Sequence, residues 1–276
     1  MHNKVFFETS AFLPVIEEIL IRFKKKNNHP YNGMLIVGVG LFPGLSNILA
    51  KEVNMSKKAN SIELGIKMNP LSSAGKSMCR LMSTIIYTNC VYYLNSQRVE
   101  DVPVSKGEQI FNNKSSVKTG FPESVMLFWS MQVPNTAVYF TASPSLLNYL
   151  LLFISEFNLR LPVLLKNILK NVTTSSLILL RSFIFRFRPT PVEMICLSSY
   201  INKNGSKQEK ICFSTNDGIA STVCILAAKL ILWSKKENIL PGIYLPDDVF
   251  SLKEVISESF TQGKGRVRFN IKIDIN

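Results

Sequence analysis

The sequence predicts an α/β chain in which a parallel-sheet unit is followed by a mixed α+β unit. Three observations carry this reading. Met34-Leu-Ile-Val37 is a short, wholly apolar run of the kind that forms a strand buried in a parallel sheet. The breaker cluster Gly38 to Gly44, with Pro43, forces a turn, and Leu45 to Val53 restarts at helical spacing with Ser46 or Asn47 placed to cap the first turn. Beyond residue 59 the pattern changes to period-two alternation, as in Ser61 to Met68 and in the two runs that flank Asn204-Gly205.

The remaining elements follow in order. Phe12 to Phe23 sets Leu13, Val15, Ile16, Ile19, Leu20 and Phe23 at helical spacing. It ends in Lys24-Lys25-Lys26, which complements a helix C-terminus and reads as a solvated end rather than a phosphate patch. Asn27 to Gly33 is then a loop, and the helix packs on the sheet begun by Met34. Asn69 to Lys76 is a Gly/Ser/Pro loop, and Ser77 to Tyr87 returns to helix. Ser72-Ser-Ala-Gly-Lys-Ser77 lacks the first glycine of a P-loop at the required spacing. Gln97 to Lys118 reads as a polar, exposed excursion, and Ser124 to Ser130 and Thr136 to Thr141 read as strands.

Leu146 to Phe157 and Leu161 to Phe187 are apolar helical segments, the second carrying Lys166, Lys170, Arg181 and Arg186. A basic amphipathic helix fits contact with an anionic membrane surface. It equally fits a dimer-packing helix with snorkelling charges, and packing is the preferred reading. Met194 to Tyr200 and Lys210 to Phe213 form a hairpin about Asn204-Gly205. Gly218 to Trp233 is a long apolar helix, and Pro241 to Phe250 and the alternation Arg266 to Ile273 close the chain.

Composition narrows the function classes. A chain of 276 residues, 46% hydrophobic, buries a substantial core as one large or two smaller domains. The net charge of +13 raises the question of an anionic partner, but the basic residues are scattered from Arg22 to Arg268. No zinc spacing, RNP-like aromatic motif or base-reading helix accompanies them, so nucleic acid is not the expected partner. Five cysteines, odd in number and without paired short spacings, suit buried thiols in a reducing compartment. Two histidines leave no His-rich metal site and no His-dependent triad. The N-terminus does not read as a signal peptide, and Lys229 interrupts the longest apolar window. A cytoplasmic location is expected.

The turn itself has two local readings, which residue chemistry leaves open. Gly38-x-Gly40-x-x-x-Gly44 is one version of a phosphate-gripping turn, with Glu63, about 20 residues on, holding a ribose hydroxyl. Alternatively, Gly-x-x-Pro-Gly-Leu-Ser-Asn is a later strand–turn–helix near the nicotinamide end, where Pro43 supplies no amide.

Four short motifs appear in a consistent order: Phe6-Phe-Glu-Thr-Ser10, Gly40-Leu-Phe-Pro-Gly-Leu-Ser-Asn47, Asn216-Asp-Gly-Ile-Ala-Ser-Thr222 and Pro241-Gly-Ile-Tyr-Leu-Pro-Asp-Asp-Val-Phe250. Together they resemble saccharopine dehydrogenase-like proteins, the last being similar to that family's closing Pro-Gly-x-x-x-Pro-Glu-x-x-Phe signature. Such proteins begin with a Gly-x-Gly-x-x-Gly turn about a hundred residues upstream of the Pro-Gly-Leu-Ser-Asn segment. Here Met1 stands almost where the last strand of that half is expected. The resemblance therefore implies α/β architecture with three parts. Residues 1–58 are the remnant of a Rossmann-like parallel-sheet domain, 59–215 a mixed α+β substrate and dimerisation domain, and 216–276 a C-terminal region returning to the first.

By the same resemblance the activity is that of an NAD(P)-dependent oxidoreductase acting on a small-molecule substrate, with NADP or NAD as cofactor and a homodimer as the assembly. Gly40, Pro43, Gly44, Ser46 and Asn47 are the implied cofactor contacts, and Ser72, Ser73 and Gly75 the implied substrate turn. No residue stands out as a proton donor. The rival is a non-catalytic or half-enzyme interaction protein that needs a separately encoded nucleotide-binding half. A third reading, a complete enzyme with Gly38-Val-Gly40 as its fingerprint, requires Glu63 at a strand end beside the ribose.

Overall fold

A computed structural model describes residues 4–9, 11–24, 33–54, 59–69, 76–108, 110–111, 115–184, 191–202, 205–236, 239–263 and 267–275. The chain opens with β1 (Lys4–Glu8), α1 (Leu13–Ile19) running into a π-helical turn at Leu20–Lys24, β2 (Gly33–Val37) and α2 (Leu45–Asn54). It continues through β3 (Ser61–Met68), α3 (Lys76–Ile86), β4 (Cys90–Leu94), β5 (Gln97–Asp101), β6 (Val104–Lys106) and β7 (Val117–Thr119). Then come α4 (Glu123–Met131), β8 (Asn135–Ala142), α5 (Leu146–Arg160), α6 (Val163–Ile184), β9 (Val192–Asn202) and β10 (Gly205–Thr215). The chain closes with α7 (Gly218–Ser234), β11 (Gly242–Tyr244), α8 (Pro246–Val249), α9 (Leu252–Gly263) and β12 (Phe269–Ile275).

Among the described residues these elements make a mixed α/β structure with two sheets. The small sheet is wholly parallel, in the order β1-β2-β11, with Lys4 opposite Gly33 and Gly242 opposite Met34. The large sheet is mixed, in the order β12-β10-β9-β3-β8-β4-β5, with the β6–β7 pair attached to β8. Within it β3 and β8 run parallel, whereas β9, β10 and β12 pair antiparallel. The two late strands part company: β11 completes the small sheet beside β2, and β12 becomes an edge of the large one beside β10.

The core explains why α2 is central. One face of the large sheet, through Ile62, Leu64 and Ile66 of β3 and Met194 of β9, packs against Ile48 and Leu49 of α2. A second cluster joins Leu13 and Ile16 of α1, Val37 of β2, and Val125 and Met126 of α4. Leu45 to Ala50 are consequently buried on every side. Cys90 and Cys196 lie in the interior, where burial pushes both thiols up, Cys90 to about 12.

Two expectations are corrected. Ser124 to Ser130 is not a strand but most of α4. Its Glu123-Ser-Val-Met-Leu127 run is buried throughout, which erases the helical periodicity that a half-exposed element displays. Gln97 to Lys118 is not a plain excursion, since it contains β5, β6 and the start of β7. Asn95 and Ser96 turn β4 into β5 with φ of 51° and 64°, a two-residue hairpin turn without the usual glycine. The hairpin of β9 and β10 has the expected position, Gly205 opening β10 at φ +113° opposite Asn202. Asn204, most of the Asn27 to Gly33 loop, Lys25 and Lys26 lie outside the described residues.

Candidate functional site

The glycine turn between β2 and α2 is closed on itself. Gly38 and Gly44 adopt φ of 72° and 137°, and the Phe42–Pro43 bond is cis. The Gly38 and Val39 amides donate to the Glu8 carbonyl at 2.8 and 3.0 Å, so the turn is stitched to the end of β1. A Cβ at Gly44 would collide with the Gly40 and Gly38 carbonyl oxygens, which makes glycine obligatory there. An anion-binding helix N-terminus needs unspent amides. Here Leu45 N–H donates to Gly40 O and Ser46 N–H to Leu41 O, each at 3.1 Å. The Gly44 N–H donates to Asn47 Oδ1 at 3.2 Å. The fold brings Gly40, Pro43, Gly44, Ser46 and Asn47 together, but Pro43, Gly44, Ser46 and Asn47 are buried and Gly40 is half-buried.

Three ionisable side chains are buried around this turn. Lys229, in the middle of α7 and with no exposed surface, donates its ammonium to the carbonyls of Val39 at 3.0 Å and Gly40 at 3.1 Å. Burial pushes its pKa down to about 7, against the opposing pull of Asp247 on α8. The Asp247 backbone carbonyl in turn accepts from Lys51 of α2. Glu123, at the start of α4, is buried completely, and this pushes its pKa up to about 8. Its own backbone N–H and the Ser46 hydroxyl are near enough to oppose that rise, yet neither carboxyl oxygen completes a well-formed hydrogen bond among the described residues. Chemically, the arrangement locks a turn: the Lys229 ammonium grips two of its carbonyls, and the Glu123 carboxyl, whose burial favours the protonated form, lies near Ser46.

None of Lys229, Glu123 and Asp247 was singled out as a site residue by sequence. Lys229 carries a visible signal, a lone charge inside the apolar window Ile219 to Trp233. Asp247 is visible only as part of the Pro-Asp-Asp motif, and Glu123 has no periodicity around it to mark it as buried.

Ser72, Ser73 and Gly75 lie outside the described residues. The strand leading to them, β3, borders an open cleft of about 570 Å³ that includes Lys67, Phe111, Glu193, Lys210 and Asn216. Lys67 pairs with Glu193 across the strands at 2.5 Å, and its ammonium stands 5.9 Å from the Phe111 ring centre. Glu63 is the third residue of β3, not a strand end. It alternates with Ile62 and Leu64, which face α2, and so points to the opposite side of the sheet. The fingerprint reading that needs Glu63 beside the turn is set aside on this geometry. Among the described residues, no helix is long and apolar enough to cross a membrane, and no group of three His, Cys, Asp or Glu could hold a metal ion.

Compared with known proteins, the chain matches no protein-family model, and no curated protein matches it.

Proposed function

We propose that the chain is the substrate-side and assembly half of a saccharopine dehydrogenase-like NAD(P)-dependent oxidoreductase, inactive alone and completed by a separate nucleotide-binding half. The observation that carries this reading is the closed turn: the residues that the resemblance assigns to the cofactor spend their first helix amides on one another and on Leu41. A pyrophosphate would find few donors there, which supports a reading in which the nucleotide is gripped by another segment. The small sheet offers a place for such a segment. Among the described residues β1 pairs with β2 alone, and Phe6 on that strand is 62% exposed. An edge strand is a template for further pairing.

The test is a titration of the purified chain with NADPH and NADH, followed by nicotinamide fluorescence. The expected result is no saturable binding by the folded chain, with binding recovered only when a nucleotide-binding half is co-purified. Saturable micromolar binding by the chain alone would overturn the half-enzyme reading in favour of a complete oxidoreductase.

A further inference from the structure

Helix α6 turns an uncharged, apolar side to solvent. Leu164, Leu165, Ile168, Val172, Leu179 and Leu180 are 43–73% exposed, and Asn167, Asn171, Ser175 and Ser176 stand between them. Lys166 and Lys170 lie on the half-buried side instead. From 164 to 180 no side chain of this helix is fully buried. It is attached to α3 and the turn that follows it through the hydroxyl pairs Ser83–Thr174 at 2.7 Å and Tyr87–Thr173 at 2.9 Å. A surface helix ordinarily shows its charges to water and its apolar stripe to the core. The outward loss of charge seen here is the composition of an interface centre.

The pattern also complements itself. Leu164 and Leu180 are each eight residues from Val172, Leu165 and Leu179 each seven, and Ile168 and Ser176 each four. An antiparallel copy crossing at Val172 would set leucine against leucine at both ends and Ile168 against a small serine. The same pairing places Lys166 opposite Ile178 and Lys170 opposite Thr174, so the lysines avoid one another. Positions 165, 168, 172, 175 and 179 keep the alternating three–four spacing of a helix–helix seam. The patch continues onto α5: Leu150 and Leu180 line one apolar cavity, and Tyr149, Phe153 and Phe157 are exposed nearby on the same helix as Leu150. With about 150–250 Å² for an aromatic side chain and somewhat less for an aliphatic one, each roughly half exposed, these ten offer on the order of 1,000 Å², enough to supply the ~800 Å² per partner of a standard interface.

We propose that α6 pairs antiparallel with α6 of a second copy of this chain about a two-fold axis at Val172, with α5 flanking the contact. An isologous pairing of this kind closes as a dimer. It does not rest on the function proposed above, because it uses neither the turn nor the edge of the small sheet.

Sedimentation velocity of the full chain, with Val172→Glu alongside, tests the interface. The expected result is a dimer at micromolar concentration that Val172→Glu converts to monomer with an unchanged circular dichroism spectrum. Register is tested by oxidative cross-linking in a background with Cys212 and Cys224 changed to Ser. Leu165→Cys with Leu179→Cys in one chain should give covalent dimers, and neither change alone should. A monomeric wild-type chain, a dimer insensitive to Val172→Glu, or self-cross-linking of Leu165→Cys alone would overturn the proposal. A monomer that floats with phosphatidylserine vesicles would overturn it in favour of an anionic lipid surface.

Discussion

Lys229 and Gly40, 189 residues apart in sequence, are joined by a 3.1 Å hydrogen bond from the ammonium to the carbonyl. The bond fastens α7 to the turn that begins α2, and its twin reaches the Val39 carbonyl. Replacing Lys229 with Met keeps the volume and removes the donors, depriving the Val39 carbonyl of the ammonium while the Gly40 carbonyl keeps the Leu45 amide. Losing such a partner costs about 1–3 kcal/mol, offset in part by relief of a desolvated charge. We expect Lys229→Met to lower stability by about 1–2 kcal/mol, and Lys229→Ala to cost more because it also leaves a cavity. Urea denaturation at pH 7 checks this, and a gain in stability for Lys229→Met would show that burying the ammonium outweighs its bonds.

The two buried titratable groups pull stability in opposite directions as pH changes. Glu123 keeps its proton in the folded state up to about 8, above its ordinary value of 4.5. Its contribution is therefore full below pH 4.5 and is lost as pH rises toward 8. Lys229 loses its proton in the folded state near 7 rather than 10.5, so its contribution is lost as pH falls through 7 and restored toward 10.5. Stability should pass through a minimum between pH 7 and 8, with limbs of at most about 1.4 kcal/mol per pH unit. Glu123→Gln should flatten the acidic limb and Lys229→Met the alkaline one. Denaturation series across that range would refute the assignment if Glu123→Gln left the acidic limb unchanged.

Gly44→Ala should be among the most damaging single changes in the chain. Its φ of 137° and the nearby Gly40 and Gly38 carbonyls leave no room for a Cβ, and we expect a loss of about 3–5 kcal/mol or failure to fold. Gly205→Ala is the control. Its φ is also positive, but nothing lies within 4 Å of the added carbon, and about 1–2 kcal/mol is expected. Thermal melts of both variants would separate collision from backbone strain.

In the monomeric Val172→Glu chain, helix α6 should open more readily than β3. Its described side chains are at best half-buried, whereas Ile62, Leu64 and Ile66 of β3 have no exposed surface. Amides of α6 should then exchange through a smaller opening than those of β3. Tyr87→Phe, which removes the bond to Thr173, should speed α6 exchange by roughly fivefold, the equivalent of about 1 kcal/mol, without moving β3. Equal acceleration in both elements would show that α6 opens only with the whole molecule.

Sequence periodicity makes some of this architecture legible and hides the rest for physical reasons. The hairpin of β9 and β10 is readable because two alternating runs flank Asn204-Gly205 in the sequence. The strand, turn and helix from Gly33 to Asn54 are readable because apolar run, breakers and helical spacing succeed one another. Helix α4 is hidden because burial on all sides removes alternation, and the β4–β5 turn because Asn95-Ser96 does its work without glycine. The candidate site shows the same division. The turn residues are local and visible, whereas Lys229 and Glu123 reach them from α7 and α4, and no local pattern encodes which distant charge a fold will bury beside a turn.

The position of β11 beside β2 has a consequence for biosynthesis. About 200 residues separate Val37 from Gly242, and β2 lacks its second neighbour until the later segment has been made. At roughly 5–20 residues per second, the ribosome needs on the order of 10–40 s to deliver it. During that interval an apolar strand waits with one side open while the hairpin of β9 and β10, closed between adjacent segments, can form as soon as it emerges. The small sheet is therefore completed late in folding, although β1 and β2 precede every strand of the large sheet in the chain.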